Sequence, residues 1–402
     1  MKKAVIAIIW YVIILHILIP YLYYFIVGFT PVYSDIIDYP SLNKSTLIII
    51  VPLIISVFGL KLISAKHEFV MPIVDGRPIN FLYYFSVVFK LVTFYMTGGF
   101  EGMLSGENSG SLSNYISLFL NPFTLLLLLL FVQKRKSNVI FAIFFYVVCV
   151  SLSGSRSGII SIFFVLFIGM AFEVFKYYKV KIQNFLKFGM LLAPILFVYV
   201  TISRGFDEIV GFDFIMNQII GRISTLETSM LPLYYQSHNL DLTLFYSKYD
   251  FWNQLKLSID TLLPGQIFEF DVMPNNYYRA IFMGYSESFV FENYMSVNLT
   301  LPIYLYLKYG YLGLFFTVLY IVGFYKLLVI FRNKPFVIIA LLSTFYNLIY
   351  FFDWVMVVIT LYSSFLTILF VKMFIPVYKI IVQILQKLRL FNPNTQEIDN
   401  VS

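Results

Sequence analysis

Cysteine is nearly absent. Cys149 stands alone in 402 residues, so no disulfide can form within the chain and no cysteine cluster can hold a metal. Histidine is almost as scarce, and His16, His67 and His238 are too scattered along the chain to bind a metal together. Charge is thin as well, at 12% of residues where soluble domains carry about a quarter. The glycine-rich phosphate loop, G-x-S-x-G, H-E-x-x-H and D-x-D are all missing, which argues against ATP-driven transport and metallohydrolysis. No internal repeat or low-complexity segment appears, and the inverted symmetry of many transporters is not visible.

What is abundant is apolar surface, 60% of residues, a third of it aromatic at 20% of the chain. Apolar runs of about 17–25 residues recur, the length that crosses a bilayer as helix. The sequence therefore predicts an all-α polytopic membrane protein of about ten transmembrane helices, near 4–29, 46–64, 79–97, 114–132, 138–155, 158–177, 185–202, 311–331, 336–352 and 354–375. The first run is too long for a signal peptide and no small-x-small cleavage site follows it, so it is expected to stay as an uncleaved span.

The net charge of +7 invites a nucleic-acid partner, but its distribution refuses one. Lys61, Lys66, Arg77, the Lys134-Arg135-Lys136 run, the lysines at 176, 179, 181 and 187, Arg332 and Lys334 fall on one side of the spans. Asp35, Asp38, Glu101 and Glu107 fall on the other, with only Lys44 and Arg156 basic there. The positive-inside rule then puts both termini in the cytoplasm. Residues 1–202 hold spans one to seven, 203–310 form one large external loop, 311–375 hold spans eight to ten, and 376–402 are a cytoplasmic tail. The tail carries Ile380, Ile381, Ile384, Leu385 and Leu388 at helical spacing beside Lys379, Lys387 and Arg389, which reads either as a basic amphipathic surface helix or as a plain stop-transfer anchor.

The long loop is where a polar site can be built, since the other connections are roughly 5–20 residues. It holds eleven carboxylates from Asp207 to Glu292, together with Arg204, Arg222, Arg279 and His238. Ile215, Ile219, Ile223, Leu226 and Met230 share one helical face, a helix that Pro232 is expected to limit. Phe251, Leu255, Ser258, Ile259 and Leu262 share another. Both predict amphipathic helices lying flat at the membrane interface. Helical character returns from Ser286 until Pro302 disturbs it.

Arginine carries the chemistry that remains. Ser153-Gly-Ser-Arg-Ser-Gly158 joins two apolar helices on the outer side, against the positive-inside bias, and its small residues leave the Arg156 guanidinium approachable. Arg204 sits in Ser203-Arg-Gly205 at the mouth of span seven. A planar guanidinium suits phosphate oxygens and stays charged at any relevant pH. With Arg222 and Arg279 on the covering loop, the four describe a pocket for an anionic head group such as a lipid pyrophosphate. The competing reading is that each arginine snorkels or pairs with a loop carboxylate. His238, as the one external imidazole, is a candidate base or an ordinary loop histidine.

The Ser-Gly-Ser-Arg-Ser-Gly turn, the loop opening with Ser-Arg-Gly and the entry Lys308-Tyr-Gly-Tyr-Leu-Gly-Leu-Phe315 resemble the O-antigen polymerase (Wzy) family, whose layout the O-antigen ligases share. The likeness spans most of the chain as architecture and two or three short motifs as sequence. It implies a cofactor-free, metal-independent, inverting glycosyltransferase at the outer face of a bacterial inner membrane. Such an enzyme moves a growing glycan from undecaprenyl pyrophosphate to a new lipid-linked repeat unit, yielding O-antigen or capsule, with a chain-length regulator as a further partner. By resemblance Arg156 and Arg204 hold the donor pyrophosphate. The ligases carry a histidine shortly before the last motif; here that region reads Glu292, Asn293 and Asn298, so the base stays open among Glu287, Glu292 and His238, or is dispensable. A flippase for lipid-linked oligosaccharides, an O-antigen ligase and a non-catalytic membrane scaffold are the alternatives.

Overall fold

The computed structural model describes residues 1–29, 35–63, 76–99, 119–132, 136–152, 164–165, 168–169, 212–248, 250–262, 267–268, 278, 281–282, 286, 299–350 and 354–390. Among the described residues all regular structure is helical. The helices are α1 (Lys2–Val27), α2 (Tyr39–Leu62), α3 (Gly76–Met96), α4 (Pro122–Val132), α5 (Lys136–Leu152), α6 (Phe212–Ile223), α7 (Leu226–Ser237), α8 (Thr243–Lys248), α9 (Phe251–Leu262), α10 (Leu301–Tyr309), α11 (Leu312–Ile330), α12 (Pro335–Tyr350) and α13 (Trp354–Leu390).

Five of these are long and apolar enough to cross a membrane: Lys2–Val27, Tyr39–Leu62, Gly76–Met96, Leu312–Ile330 and Val357–Lys387. Shorter apolar helices at Val139–Cys149 and Val337–Tyr350 stand beside them. The expected spans over 158–177 and 185–202 fall almost wholly outside the described residues. A membrane protein built of helices is the result.

Helices α1 and α2 run antiparallel, and four hydrogen bonds fix their register. Lys2 Nζ donates to the carbonyls of Lys61 at 3.2 Å and Ile63 at 2.9 Å. At the other end the Tyr21 hydroxyl donates to Asn43 Oδ1 at 2.8 Å, and the Phe29 amide donates to the Tyr39 hydroxyl at 3.2 Å. The bundle thus has a Lys2 end and a Val27 end. Helix α2 starts seven residues earlier than its apolar run, because Asp38 caps it through Oδ2 to the Ser41 amide at 3.1 Å and Pro40 fits the first turn.

Polar side chains join the other helices where apolar matching would leave their partners undetermined. Asn121, just before α4, donates its amide N–H to Thr367 Oγ1 at 3.1 Å and its Nδ2 to Ser363 Oγ at 3.0 Å; the Thr124 and Ser364 hydroxyls meet at 3.2 Å. Small hydroxyl residues in this role let helices approach closely and add bonds across the contact.

The two glycines of the stretch 308–315 have a structural cause. Gly310 ends α10 at φ +58°, a left-handed conformation that suits glycine. Gly313 then passes so close to α10 that a Cβ there would sit 2.2 Å from the Leu305 carbonyl oxygen. The two glycines fold α10 tightly back on α11.

Pro302 opens α10 in the first turn, where its missing N–H has no bond to lose; the helical stretch expected from Ser286 up to it lies almost wholly outside the described residues. Of the two readings of the tail, the continuous one fits, since α13 runs unbroken through Pro376 for 37 residues, about 55 Å. One expectation is corrected: Pro232 does not end its helix, for α7 continues to Ser237. Proline blocks only one backbone bond, and long apolar neighbours can hold the helix across that gap.

Candidate functional site

The segment expected to lie flat instead enters the bundle. Helix α6 follows α1 inward from the Val27 end: the Tyr23 hydroxyl donates to Asn217 Oδ1 at 2.6 Å, and His16 Nδ1 lies 2.8 Å from the Ile223 carbonyl. Seven residues of α1 separate those two bonds, about 10 Å of descent. The helix then breaks at Ser224–Thr225. Helix α7 leaves the break packed on α2 and climbs back. Tyr235 meets Phe282 at 5.1 Å and Phe282 meets Phe245 at 5.0 Å. Next along, the Tyr246 hydroxyl donates to the Leu307 carbonyl at 3.3 Å, while Lys44, near the start of α2, stands over the Tyr306 ring. Helices α6 and α7 form a re-entrant hairpin whose tip sits beside the middle of α1.

Why the chain breaks there follows from its partners. A carbonyl released from a helix inside an apolar bundle must find a donor. Ile223 O finds two, the His16 ring and the Tyr350 hydroxyl at 3.1 Å. A carbonyl only accepts, so His16 carries its proton on Nδ1, and in the neutral ring Nε2 accepts from the Tyr346 hydroxyl at 3.1 Å. His16 is 0% exposed and stacks on Tyr350 with centroids 3.8 Å apart, while Tyr11 lies edge-on at 5.3 Å. Residues Val12–Leu18 of α1 wind as a π-helix around this histidine, a widened turn that often marks functional sites. On the far side of the break, Ser224 Oγ accepts from the Leu226 amide at 3.0 Å and starts α7.

The start of α7 is polar and enclosed. Ser224, Thr225, Glu227, Thr228 and Ser229 are all buried, Glu227 completely. Glu227 is in the first turn, where a carboxylate complements the helix dipole. Tyr278, from the segment beyond α9, donates its hydroxyl to the Thr228 carbonyl. A carboxylate, an imidazole and several hydroxyls inside a helical bundle make a candidate site, since such groups are costly to bury in a membrane protein.

Against the predicted residues the outcome is mixed. Arg156, Arg204, Arg279, Glu287 and Glu292 lie outside the described residues. Arg222 is in the last turn of α6, two positions before Ser224 at the tip. His238 lies far from that tip, exposed just past the end of α7, with Nδ1 donating to the Tyr234 carbonyl at 2.9 Å. His16 and Glu227 were not singled out by sequence. The signal that could have found them is an imidazole in the middle of an apolar run and a Ser-Thr-x-Glu-Thr-Ser cluster inside an otherwise apolar helical face.

The second amphipathic helix buries a face that overlaps the expected one at Ser258. Helix α9 packs on α13 and buries Gln254, Leu257 and Ser258, leaving Leu255 and Ile259 half-buried and Trp252 exposed. It too is part of the bundle's packing. Among the described residues no three of His, Cys, Asp or Glu come together as a metal site would need. The chain matches no family model, no curated protein and no solved structure.

Proposed function

We propose that this chain polymerises lipid-linked oligosaccharide repeat units into a surface polysaccharide, by inverting, metal-independent glycosyl transfer at the outer face of a bacterial inner membrane. The observation that carries the reading is the re-entrant hairpin. A segment carrying Asp213, Arg222 and Glu227, set between apolar helices, is anchored in the bundle and not merely laid across it. That is the arrangement a substrate with a lipid tail and a sugar head requires: the tail stays in the bilayer while the head meets fixed polar groups beside it.

In this reading the Val27 end faces outward and both termini lie in the cytoplasm. Arg156 and Arg204 hold the donor pyrophosphate, and Arg222 and Arg279 complete the anion pocket. The anomeric carbon–oxygen bond breaks, its electron pair leaves with the pyrophosphate, and the acceptor oxygen bonds to the same carbon from the opposite face. Arginines fixed before the reaction stabilise the charge as it develops on the leaving group. The acceptor proton goes to Glu287, Glu292 or His238, or to water.

A second reading is favoured by one feature. A broken helix with its tip beside an intramembrane histidine is how many transporters build a substrate site, so a flippase for the same lipid-linked units is the rival. The test is the length distribution of surface glycan in cells whose only copy carries Arg156→Ala, with expression checked against wild type. A ladder collapsed to single repeat units supports polymerisation. Loss of all surface glycan, with lipid-linked units trapped inside, supports the flippase. An unchanged ladder removes Arg156 from the site.

A further inference from the structure

The break at Ser224–Thr225 satisfies most of its polar groups within the protein, and this makes the exceptions informative. Thr225 Oγ1 and Ser229 Oγ are buried, their residues 3% and 0% exposed, and neither has a hydrogen-bond partner among the described residues. The reason for Ser229 is visible. A serine hydroxyl inside a helix ordinarily turns back to the carbonyl four residues earlier. Here that carbonyl, Thr225 O, already accepts the Ser229 amide at 3.0 Å and the Thr228 hydroxyl at 3.1 Å. Thr225 is itself held close to α1, its amide donating to the His16 carbonyl at 3.4 Å.

Thr225 caps α7 and Ser229 follows one turn later, its amide bonded to the Thr225 carbonyl, so the two residues stand one turn apart at the start of the helix. Glu227, two positions from each, lies around the opposite side. A buried hydroxyl left unpaired costs free energy that a bound group would recover. The kind of group follows from the surroundings. Both hydroxyls are neutral and can donate as well as accept, and Glu227 lies across the helix, about 10 Å away with side chains counted. A neutral ligand that both donates and accepts matches that pair.

We propose that Thr225 and Ser229 form a hydrogen-bonding subsite for hydroxyl groups of a sugar, at the tip of the re-entrant hairpin. The proposal rests on the reading that the substrate is a lipid-linked glycan, and it adds the residues that grip the sugar. Neither is a charged residue of the arginine pocket, so the subsite sets sugar affinity and leaves pyrophosphate binding alone.

The test is the double variant Thr225→Val, Ser229→Ala in the full chain, purified in lipid nanodiscs and supplied with lipid-linked repeat units extracted from cells that lack the chain. The expected result is a KM about tenfold higher, from two lost hydrogen bonds, with Tm unchanged or raised because the unpaired hydroxyls are gone. An unchanged KM overturns the subsite. If the variant does not fold, a cryo-electron microscopy map of the wild-type chain with the same lipid-linked unit decides: density continuous with the glycan and within reach of both hydroxyls supports the subsite, and isolated water-sized density overturns it. Failure of the glycan reading looks different, since cells without the chain would then keep a full polysaccharide ladder.

Discussion

The re-entrant hairpin and helix α13 treat helix-breaking residues in opposite ways. Between Phe212 and Ser237 the chain breaks at Ser224–Thr225, which are mild helix formers, and runs straight through Pro232. Helix α13 keeps going for 37 residues although Pro376 lies inside it, and α2 likewise contains Pro52. Intrinsic propensity ranks these positions the other way round. Partners explain the reversal. At the break, His16, Tyr350 and Ser224 Oγ take up the backbone groups that the helix gives up. At the prolines one N–H is missing and the surrounding turns remain bonded. Inside an apolar bundle a helix ends where its freed groups can be satisfied, and proline by itself does not supply that.

The largest effect should come from the point where two helices touch through backbone. Gly313→Ala puts a methyl 2.2 Å from the Leu305 carbonyl oxygen, and main chain cannot swing aside as a side-chain tip can. The α10–α11 hairpin must open, and we expect a loss of about 3 kcal/mol or more, read as a drop in Tm and in membrane-inserted yield. Gly323→Ala on the same helix, where nothing lies within 4 Å of the added methyl, is the matched control and should be neutral. Equal losses in the two would mean that the close approach at Gly313 is not what governs this pair, since alanine is the better helix former at both positions.

Next in size is the clamp at the break. His16→Phe keeps the aromatic packing against Tyr11 and Tyr350 but removes the donor to Ile223 O and the acceptor for Tyr346. A loss of about 2 kcal/mol is expected, together with faster amide exchange across Ile220–Ser229 on both sides of the break. Tyr350→Phe leaves His16 in place as the remaining donor, so about 1 kcal/mol is expected there. If His16→Phe costs no more than Tyr350→Phe, the imidazole is not what decides the position of the break.

How much of this was legible beforehand divides along the same line. Apolar length located α1, α3, α11 and α12 to within about three residues, because twenty apolar residues in a row leave few alternatives. The face Ile215, Ile219, Ile223, Leu226 and Met230 predicts one surface helix, since periodicity reports only that one side is apolar and not what covers it. The structure buries both sides from Leu226 to Leu233. His16 has no metal-ligating neighbours in sequence, and its partners in the fold are a carbonyl 207 residues away and a tyrosine 330 residues away. Contacts of that separation leave no local pattern. The arginine pocket remains a reading of sequence, its one described member being the Arg222 backbone at the end of α6.

The smallest effect has the opposite sign and tests the comparison most directly. Pro376 is exposed on α13, so replacing it with alanine removes no buried contact. Alanine restores an N–H aimed at the carbonyl of Lys372 and removes the ring that crowds it. If α13 tolerates proline only because the turns on either side stay bonded, Pro376→Ala should raise stability by about 1 kcal/mol, well under the about 3 kcal/mol that proline costs in an unsupported helix interior, seen as a higher Tm with the glycan ladder unchanged. A fall in stability would show that the helix depends on a bend at this position. Proline would then shape α13 as actively as His16 shapes the hairpin, and the contrast between the two regions would lie in geometry and not in the supply of partners.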